Sequence, residues 1–341
     1  MYRDRIKLYK KIEKIRNSKV IAYITGDRPG MATQISTDTV ELFSEHLDIL
    51  FKKSNKISLI LYSPGGDVLA AWNIVNLIHM FCDEFEVIIP RKALSSATLI
   101  SIGASKIIMT KQATLGPIDP SIGGPYNPTI NNGIGNITSL PVSVEDVAGF
   151  FELASNEMKN DADMKIAFQA LVNNIHPLAL GQVSRSRSQI KKLATKLLST
   201  HMTDSSKIKR IIDFLCSESG SHDYTINRRE AQNDLELPIE KPSEELYKII
   251  NELYSDFSTE MKLREPFLPQ NLIASSGQFS YDELRALVES VDGGSHQFRS
   301  SGQIMVAQNL QGQNQGGQIM PPLPPQFFDH RTSEGWRHVT K

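Results

Sequence analysis

Two adjacent serines, Ser95 and Ser96, stand where an apolar strand-like stretch, "FEVIIP", gives way to an apolar helix-like stretch. A serine at the start of a helix commonly accepts a hydrogen bond from a free backbone N–H group. It can equally be a nucleophile, and the same N–H groups can then stabilise an oxyanion. The pair therefore predicts either a helix cap or the nucleophile of an acyl-transfer reaction.

A second stretch, "LYSPGGD", ends another apolar strand and places Gly65 and Gly66 where the backbone must approach another group closely. Its simplest interpretation is a tight turn from a strand into a helix. If strands 56–63 and 85–90 are neighbours in a parallel sheet, both stretches meet at its carboxyl edge, where α/β proteins bind ligands. The Gly66 N–H would then lie beside a serine hydroxyl, which is an acyl-transfer arrangement.

The third stretch, "TLGPIDPS", follows a further short strand. Pro117 and Pro120 favour an extended, non-helical backbone there. It predicts either a stiff loop or one wall of a groove for an extended peptide.

The elements around these stretches alternate between strand and helix, which indicates βαβ crossovers and a mostly parallel sheet. Apolar runs predict strands, and 3.6-residue periodicity predicts helices. The predicted strands cover 19–25, 56–63, 85–90 and 106–110, and the predicted helices cover 2–17, 38–52, 68–82 and 95–105. The fold class is therefore α/β.

The pattern changes in the second half of the chain. Residues 144–217 read as largely helical and 242–262 as one more helix, whereas the last residues are rich in Gly, Gln and Pro. We therefore expect an α/β core over 1–140, a helical region over 141–240, a helical extension over 241–291 and a flexible tail over 292–341.

Composition excludes several function classes. A formal net charge of −1 over 341 residues means that nothing global points to nucleic acid or to an anionic membrane as a partner. Two distant cysteines argue against a disulfide framework, and the charged N-terminal stretch lacks the apolar core of a signal peptide. No apolar run approaches the 18 or so residues of a membrane span. We expect a cytoplasmic protein without membrane span, metal, phosphate loop or nucleotide cofactor.

The stretches "YSPGGDVLAAWNIVNLI", "ALSSATLISIGASKIIM" and "LGPIDP" resemble the Clp-fold serine peptidases, the superfamily of the Clp protease proteolytic subunit, signal peptide peptidase A and the crotonases. The most similar pattern is that of the serine dehydrogenase proteinase family, and the resemblance covers roughly residues 15–240. It implies a Clp/crotonase-like fold. The word "dehydrogenase" in that family name denotes a substrate, not a cofactor.

The resemblance also implies roles for individual residues. Counting back from the strand that begins at Lys106 places the nucleophile on Ser95 rather than Ser96. The N–H of Ser96 would then be one oxyanion donor, and the Gly65–Gly66 corner would supply the other through Gly66.

The general base is where this sequence departs from the Clp protease subunit, which has a histidine where this chain has Asp119. The order Ser-His-Asp therefore does not transfer. Signal peptide peptidase A uses a lysine downstream of its serine, and Lys159 and Lys165 are the corresponding candidates. Both stand in the polar stretch "NEMKNDADMK", although a lysine that acts as a base requires burial.

Two histidines resemble positions of the serine dehydrogenase proteinase pattern. His176 precedes a long helical run, and His222 stands next to Asp223. Histidine is the commonest base near neutral pH. His176 could instead cap its helix and His222 could stabilise a turn, so Lys165, His176 and His222 all stay candidates.

Three functions follow from these observations. The first is an ATP-independent serine peptidase that acts on a protein or peptide substrate. The second is a crotonase-type enzyme that acts on acyl-CoA, and the third is an inactive Clp-fold scaffold that binds partner proteins. The resemblance further implies a homo-oligomer built from trimers, with region 144–217 as its assembly surface.

Overall fold

The structure is a computed structural model. It describes residues 1–118, 121–131, 137–140, 142–157, 161–218, 221, 223–268, 273, 278–306 and 327–339.

The described residues form ten α-helices and a short π-helical segment at Phe214–Glu218. The helices are α1 (Tyr2–Arg16), α2 (Thr39–Leu50), α3 (Val68–Phe81), α4 (Ser96–Ile102), α5 (Val144–Glu157), α6 (Asp161–Asn174), α7 (Pro177–Leu198), α8 (Ser205–Asp213), α9 (Arg228–Asn233) and α10 (Glu244–Glu260). Within the described part of the chain, none of the helices is both long and apolar enough to cross a bilayer.

The strands of the described residues differ greatly in length, from two residues to thirteen. They are β1 (Lys19–Thr25), β2 (Lys56–Tyr62), β3 (Glu84–Ile89), β4 (Lys92–Ala93), β5 (Lys106–Met109), β6 (Thr114–Leu115), β7 (Ser121–Ile122), β8 (Thr129–Asn131), β9 (Ile137–Ser139), β10 (Val142–Ser143), β11 (Ile226–Asn227), β12 (Ile239–Glu240), β13 (Gln278–Ser290), β14 (Gly294–Val306) and β15 (Phe327–Val339).

One sheet of eight strands organises the molecule, in the order β12-β5-β3-β2-β1-β13-β14-β15. From β12 to β1 every neighbouring pair is parallel. The last three strands run antiparallel to their neighbours. The predicted α/β class with a mostly parallel sheet is confirmed.

Helices cover both faces of the parallel part of the sheet. In β1, Ile21 and Tyr23 pack into the core beneath α2 and α3, whereas Val20, Ala22 and Ile24 pack into the core beneath α1 and α10. Burial on both faces explains why the strands read as continuous apolar runs rather than as alternating ones.

The first helix is joined to the C-terminal part of the sheet by a buried ion pair. Arg5 on α1 is fully buried and donates two hydrogen bonds to Glu289 on β13, at 2.9 and 2.6 Å. Its remaining donors contact Asp256 and Glu260 on α10. A bidentate pair of this kind fixes geometry as well as charge. The C-terminal strands are therefore anchored to the N-terminal core.

Each strand and helix predicted before residue 111 is present, with ends displaced by at most a few residues. The helical character predicted for 144–217 and for 242–262 is confirmed by α5 to α8 and by α10.

Two expectations about the C-terminal part are wrong. The stretch assigned to a helical extension over 241–291 ends in strand β13, and the stretch assigned to a flexible tail over 292–341 contains β14 and β15. The sequence "DELRALVES" is rich in helix-forming residues, but pairing with β1 and burial between helices override that weak preference. Strands β14 and β15 are held together by backbone hydrogen bonds. Their Gly- and Ser-containing sequences can therefore form strands without an alternating apolar pattern. The division into domains stays a prediction.

Three histidines, one on each of α2, β14 and β15, lie in contact with one another. His46 Nε2 lies 3.1 Å from His296 Nδ1 of β14, and the His296 ring stacks on His338 of β15 at 4.3 Å. Glu45 contacts the outer nitrogen of His296 at 3.2 Å, and Ser290 Oγ lies 2.7 Å from His46 Nδ1. Burial and the two neighbouring histidines lower the pKa of His46 to about 3.

We expect the free energy of unfolding to fall as the pH is lowered from 7.5 to 5. In the unfolded chain His46 binds a proton near its ordinary pKa of 6.5, whereas the folded protein resists protonation. The loss attributable to this histidine approaches about 1.4 kcal/mol per pH unit below that value. Urea unfolding at several pH values measures it. A His46→Gln variant should show a smaller slope; an equal slope would contradict the assignment.

Candidate active site

Ser95 occupies an unusual backbone conformation at the point where the chain enters α4. Its φ of 52° and ψ of −119° lie in a region that residues other than glycine seldom adopt. The conformation is imposed from both sides. On the N-terminal side of Ser95, Ala93 forms a parallel bridge with Ser63. On its C-terminal side, the Ser95 carbonyl accepts a hydrogen bond from Leu99 N–H. Such strained positions cluster at functional sites. Ser95 is only half-buried.

Gly65 lies directly against Ser95. A Cβ placed on this glycine would come within 2.8 Å of Ser95 Cβ and 2.9 Å of the Leu94 carbonyl oxygen, and its φ is +115°. Both its conformation and its surroundings therefore require glycine. The structure thus brings the two predicted stretches together, as the sequence analysis expected.

The direction of the Gly66 N–H follows from the hydrogen bonds of its neighbours. The Gly65 carbonyl accepts from Ile35 N–H at 2.8 Å, and Asp67 N–H donates to the Ile35 carbonyl at 2.8 Å. In a trans peptide, the carbonyl of one residue and the N–H of the next point in opposite directions. The Gly66 N–H therefore points away from Ile35.

Ser96 differs from Ser95 in its burial. Its side chain is fully buried, whereas Ser95 remains accessible. Because the Ser95 carbonyl accepts from Leu99 within α4, the Ser96 N–H on the same peptide is directed out of the start of the helix. The half-buried Ser95, the glycine corner and the start of α4 therefore meet at this edge of the sheet.

Two hydroxyl side chains that the sequence analysis did not select hold these turns in place. Ser63 Oγ accepts hydrogen bonds from Thr25 Oγ1 at 2.7 Å and from Gly65 N–H at 3.0 Å. Thr98 Oγ1 lies 2.8 Å from the carbonyl oxygens of Ala93 and Gly116, which ties the serine turn to the "LGPID" stretch. Ser63 belongs to the "SPGG" stretch and Thr98 to the "LSSAT" stretch. Their place in these stretches is the only feature of the sequence that could have indicated a supporting role.

Comparison with known proteins agrees with this geometry. Residues 1–138 match the family model of the ClpP-like SDH-type serine proteinases. The resemblance inferred from the motifs is confirmed for this part of the chain. Residues 139–240, to which we extended it, lie outside the match.

Two curated relatives come from Methanocaldococcus jannaschii, the uncharacterized proteins MJ0137 and MJ1495. They are 35% identical to this chain over 131 and 126 residues, which is 37% and 35% of this chain and 46% and 42% of theirs. The chain thus matches less than half the length of either relative.

Among solved structures, the comparison found a mutant of ClpP1 from Listeria monocytogenes, with a TM-score of 0.37 and 15% identity over 69% of this chain and 98% of that one. A mutant of the 1510-N membrane-bound stomatin-specific protease gives a TM-score of 0.38 and 17% identity, over 68% of this chain and 85% of that one.

Of the predicted bases, the described residues include His176 and Lys165, and neither forms a hydrogen bond with Ser95. His176 caps α7 by accepting from Leu178 N–H at 3.2 Å, and its ring stacks on Tyr126 at 4.7 Å. Lys165 is exposed on α6 and lacks the burial that a lysine base requires. His222, together with Lys159 and Asp119, lies outside the described residues.

The most important residue that the sequence analysis missed is Arg285, the extra residue of a β-bulge in β13. Its side chain donates to the carbonyls of Met31 and Ala32 at 3.0 and 2.6 Å. Its own carbonyl accepts from Gly26 N–H and Thr33 Oγ1, both at 2.8 Å. The loop fixed in this way, residues 26–36, carries the Ile35 backbone that orients the glycine corner.

Replacing Arg285 with Met should loosen that loop. The variant loses two charge-assisted hydrogen bonds to the loop, together with those to Ser300 and Glu334. Each bond to the loop contributes about 1.5–3 kcal/mol, so amide exchange in residues 31–36 should rise at least about 10-fold. Hydrogen exchange read by mass spectrometry measures this change. Arg299→Met is the matched control, because Arg299 on β14 pairs with Asp282 instead. Equal exchange in both variants would argue against the role assigned to Arg285.

Proposed function

We propose that this protein is a serine peptidase that hydrolyses peptide bonds of a protein or peptide substrate without ATP. Ser95 Oγ is the nucleophile, and the N–H groups of Gly66 and Ser96 form the oxyanion hole. The observation that supports this proposal most is the contact of the glycine corner with a strained, accessible serine. The match of residues 1–138 to a serine proteinase family supports the same chemistry.

In the proposed reaction Ser95 Oγ attacks the scissile carbonyl carbon while a base takes up the hydroxyl proton. The carbonyl oxygen becomes an oxyanion between the two N–H groups, and the leaving amine receives a proton as the C–N bond breaks. Water then hydrolyses the acyl-enzyme. An N–H donor of this kind commonly contributes about 10²–10³ in rate. The conformation of the Gly65–Gly66 corner, which fixes the Gly66 N–H, would therefore contribute directly to the reaction rate.

The base is the unassigned part of the proposal. Among the described residues, no histidine or lysine side chain is within hydrogen-bonding distance of Ser95 Oγ. We propose that the base comes from Lys165, His176 or His222 after a rearrangement, or from a second copy of the chain. Apo geometry alone does not exclude a candidate, since catalytic contacts often tighten only when substrate binds.

A second candidate function is an inactive scaffold that binds extended segments of partner proteins. It is favoured because no histidine or lysine among the described residues reaches Ser95 Oγ. A crotonase-type acyl-CoA enzyme is a weaker alternative, because an oxyanion hole for a thioester does not need a serine at position 95. The strained conformation of Ser95 would then have no chemical purpose.

A fluorophosphonate probe tests the proposal, because its phosphorus forms an ester with a serine oxygen, with loss of fluoride, only when the hydroxyl is activated. The wild-type protein and Ser96→Ala should form an adduct at Ser95, identified by peptide mass spectrometry. Ser95→Ala should form none, and its hydrolysis of a fluorogenic peptide library should fall to background.

Ser96→Ala is a close control, since it removes the neighbouring hydroxyl and leaves both proposed N–H donors in place. An adduct on Ser96 would show that the nucleophile is misassigned. No adduct in the wild type, together with binding of extended peptides without turnover, would favour the scaffold. Turnover of CoA thioesters would favour the crotonase-type alternative.

We further propose that helices α5 to α7 form the surface on which copies of this chain assemble. Large apolar side chains there are exposed, which is costly for a monomer. They are Leu153 at 61%, Ile166 at 65%, Phe168 at 53% and Leu178 at 54% of full exposure. Burial of this face by a second copy would also bring new side chains near the serine edge.

Mass photometry should therefore show an oligomer for the wild type at nanomolar concentration. Ile166→Asp together with Phe168→Asp should shift the mass toward the monomer, because two buried charges without partners oppose association. Substituting Met80, which is 83% exposed on α3, with Asp provides the matched control and should leave the mass unchanged. A monomeric wild type would overturn the proposed surface.

A further inference from the structure

A cavity of about 300 Å³ lies between the carboxyl end of β3 and the second half of α10. It is lined by Arg91, which follows β3, by side chains of α10 and by the turn after this helix. The carboxyl edge of a parallel sheet is where α/β proteins bind ligands. None of the residues of the proposed oxyanion hole lines the cavity, so it is separate from that site. We name it the β3–α10 cavity.

Arg91 is held in place with part of its hydrogen-bonding capacity unused. Its guanidinium lies over the ring of Tyr254 on α10, 4.3 Å from the ring centroid. Its Nη1 donates to the Pro90 carbonyl at 2.8 Å and to Asn251 Oδ1 at 3.0 Å, which uses both hydrogens of that nitrogen. Within the described part of the chain, Nε and Nη2 have no acceptor. This free edge has the geometry that binds two oxygens of one oxyanion side by side.

Arg91 also differs from other partly buried arginines in having no acidic partner. Arg16 pairs with Glu86, and Arg285 pairs with Glu334. Arg91 forms no ion pair with any residue that the structure describes, although it is itself partly buried. A charge withdrawn from water without a counter-ion is costly. An anion bound at the free edge of Arg91 would therefore be stabilised.

A second guanidinium and several hydroxyls line the same cavity. Arg264 lies in the turn after α10 and, like Arg91, forms no ion pair with the described residues. That turn is held in place, because Arg28 Nε donates to the Glu265 carbonyl at 2.7 Å. Guanidinium and hydroxyl groups can together donate hydrogen bonds to several oxygens of one ligand. The hydroxyl-bearing residues of the wall are Ser255, Ser258 and Thr259.

Two features of the wall oppose an anion, and the arginines exceed both. Glu265 lines the cavity, but one carboxylate against two guanidiniums leaves a positive balance. The end of α10 adds about −0.5 charge, which reduces that balance without reversing it. The last carbonyls of this helix are also occupied, since those of Phe257, Ser258 and Thr259 accept N–H groups from residues 261–263.

We propose that the β3–α10 cavity binds a phosphate group, as inorganic phosphate or as the phosphate monoester of a small molecule. A phosphate monoester carries about −1.5 to −2 charge at pH 7 and three strong acceptor oxygens, which suits two guanidiniums and the surrounding hydroxyls. A carboxylate has one charge and two oxygens and would leave several of these donors unused. Arg91 binds two phosphate oxygens through Nε and Nη2, and Arg264 binds the third. This proposal does not depend on the proposed peptidase function.

Phosphorus NMR with the full chain tests the proposal, because exchange with a protein broadens the signal of a small phosphate. The probes are inorganic phosphate and glycerol 3-phosphate, with acetate as a competitor. We expect both phosphates to be broadened and to raise the midpoint of thermal unfolding, as a ligand of the native state does. Tighter binding of glycerol 3-phosphate identifies a monoester as the ligand, and tighter binding of inorganic phosphate identifies the free ion. Displacement of phosphate by acetate at equal concentration would overturn the choice of phosphate.

Arg91→Gln should weaken phosphate binding at least about 10-fold, because it removes a bidentate, charge-assisted contact. Arg91→Lys should bind with intermediate affinity, because lysine keeps the charge and lacks the planar fork. Arg229→Gln, which changes an exposed arginine on α9 outside the cavity, is the matched control and should bind as the wild type does. Equal affinity of Arg91→Gln and Arg229→Gln would overturn the site, as would a wild-type protein that broadens neither phosphate signal.

Arg264→Gln keeps the test decisive if the Arg91 variants do not fold. The Arg264 side chain is exposed and forms no hydrogen bond with the described residues, so the unfolding midpoint without phosphate should stay that of the wild type. Its affinity for phosphate should fall several-fold. A folded Arg264→Gln protein that binds phosphate as tightly as the wild type would contradict the two-arginine site.

Discussion

The site depends on how one peptide group is oriented. The Gly65–Gly66 peptide is held on one side by its hydrogen bond from Ile35 N–H, so the N–H of this peptide points to the other side. Any side chain on Gly65 would collide with the serine, and any on Gly66 would collide with Ile35. Strained backbone of this kind persists only where the surroundings determine it fully. Here the surroundings are three neighbouring turns at the carboxyl edge of one sheet.

The C-terminal strands extend that support beyond the family-matched segment. Strand β13 pairs with β1 and carries a bulge at Arg285, whose side chain and carbonyl hold the loop that carries Ile35. Buried pairing of Arg5 with Glu289 fixes the same strand to the first helix. The peptidase-like core and the appended strands therefore form one connected framework. A loop attached to a rigid sheet keeps its geometry better than a free one.

The parallel core could be predicted from the sequence because local signals agreed with the fold. Apolar runs, the "SPGG" turn and the Asp67 cap, which accepts Ala70 N–H, all indicate the same strand-to-helix unit. The C-terminal strands could not be predicted in this way. Strand β13 pairs with β1, more than 250 residues away, as in the pair Ile21 and Ser290, and no local pattern records such a partner. Strands β14 and β15 then extend the sheet from β13. The sequence could not choose between the candidate bases for a related reason, since exposure and contacts are properties of the folded chain.

The sequence by itself determined the chemistry available at one sheet edge. It supplies a serine at a helix start and glycines where only glycine fits, because both follow from residue type and spacing along continuous segments. Tertiary structure decided which hydroxyl is accessible, since Ser95 and Ser96 differ by one residue yet face surface and interior. It also decided that a distant arginine supports the turn, because the partners of Arg285 meet it only through a sheet that joins the two ends of the chain.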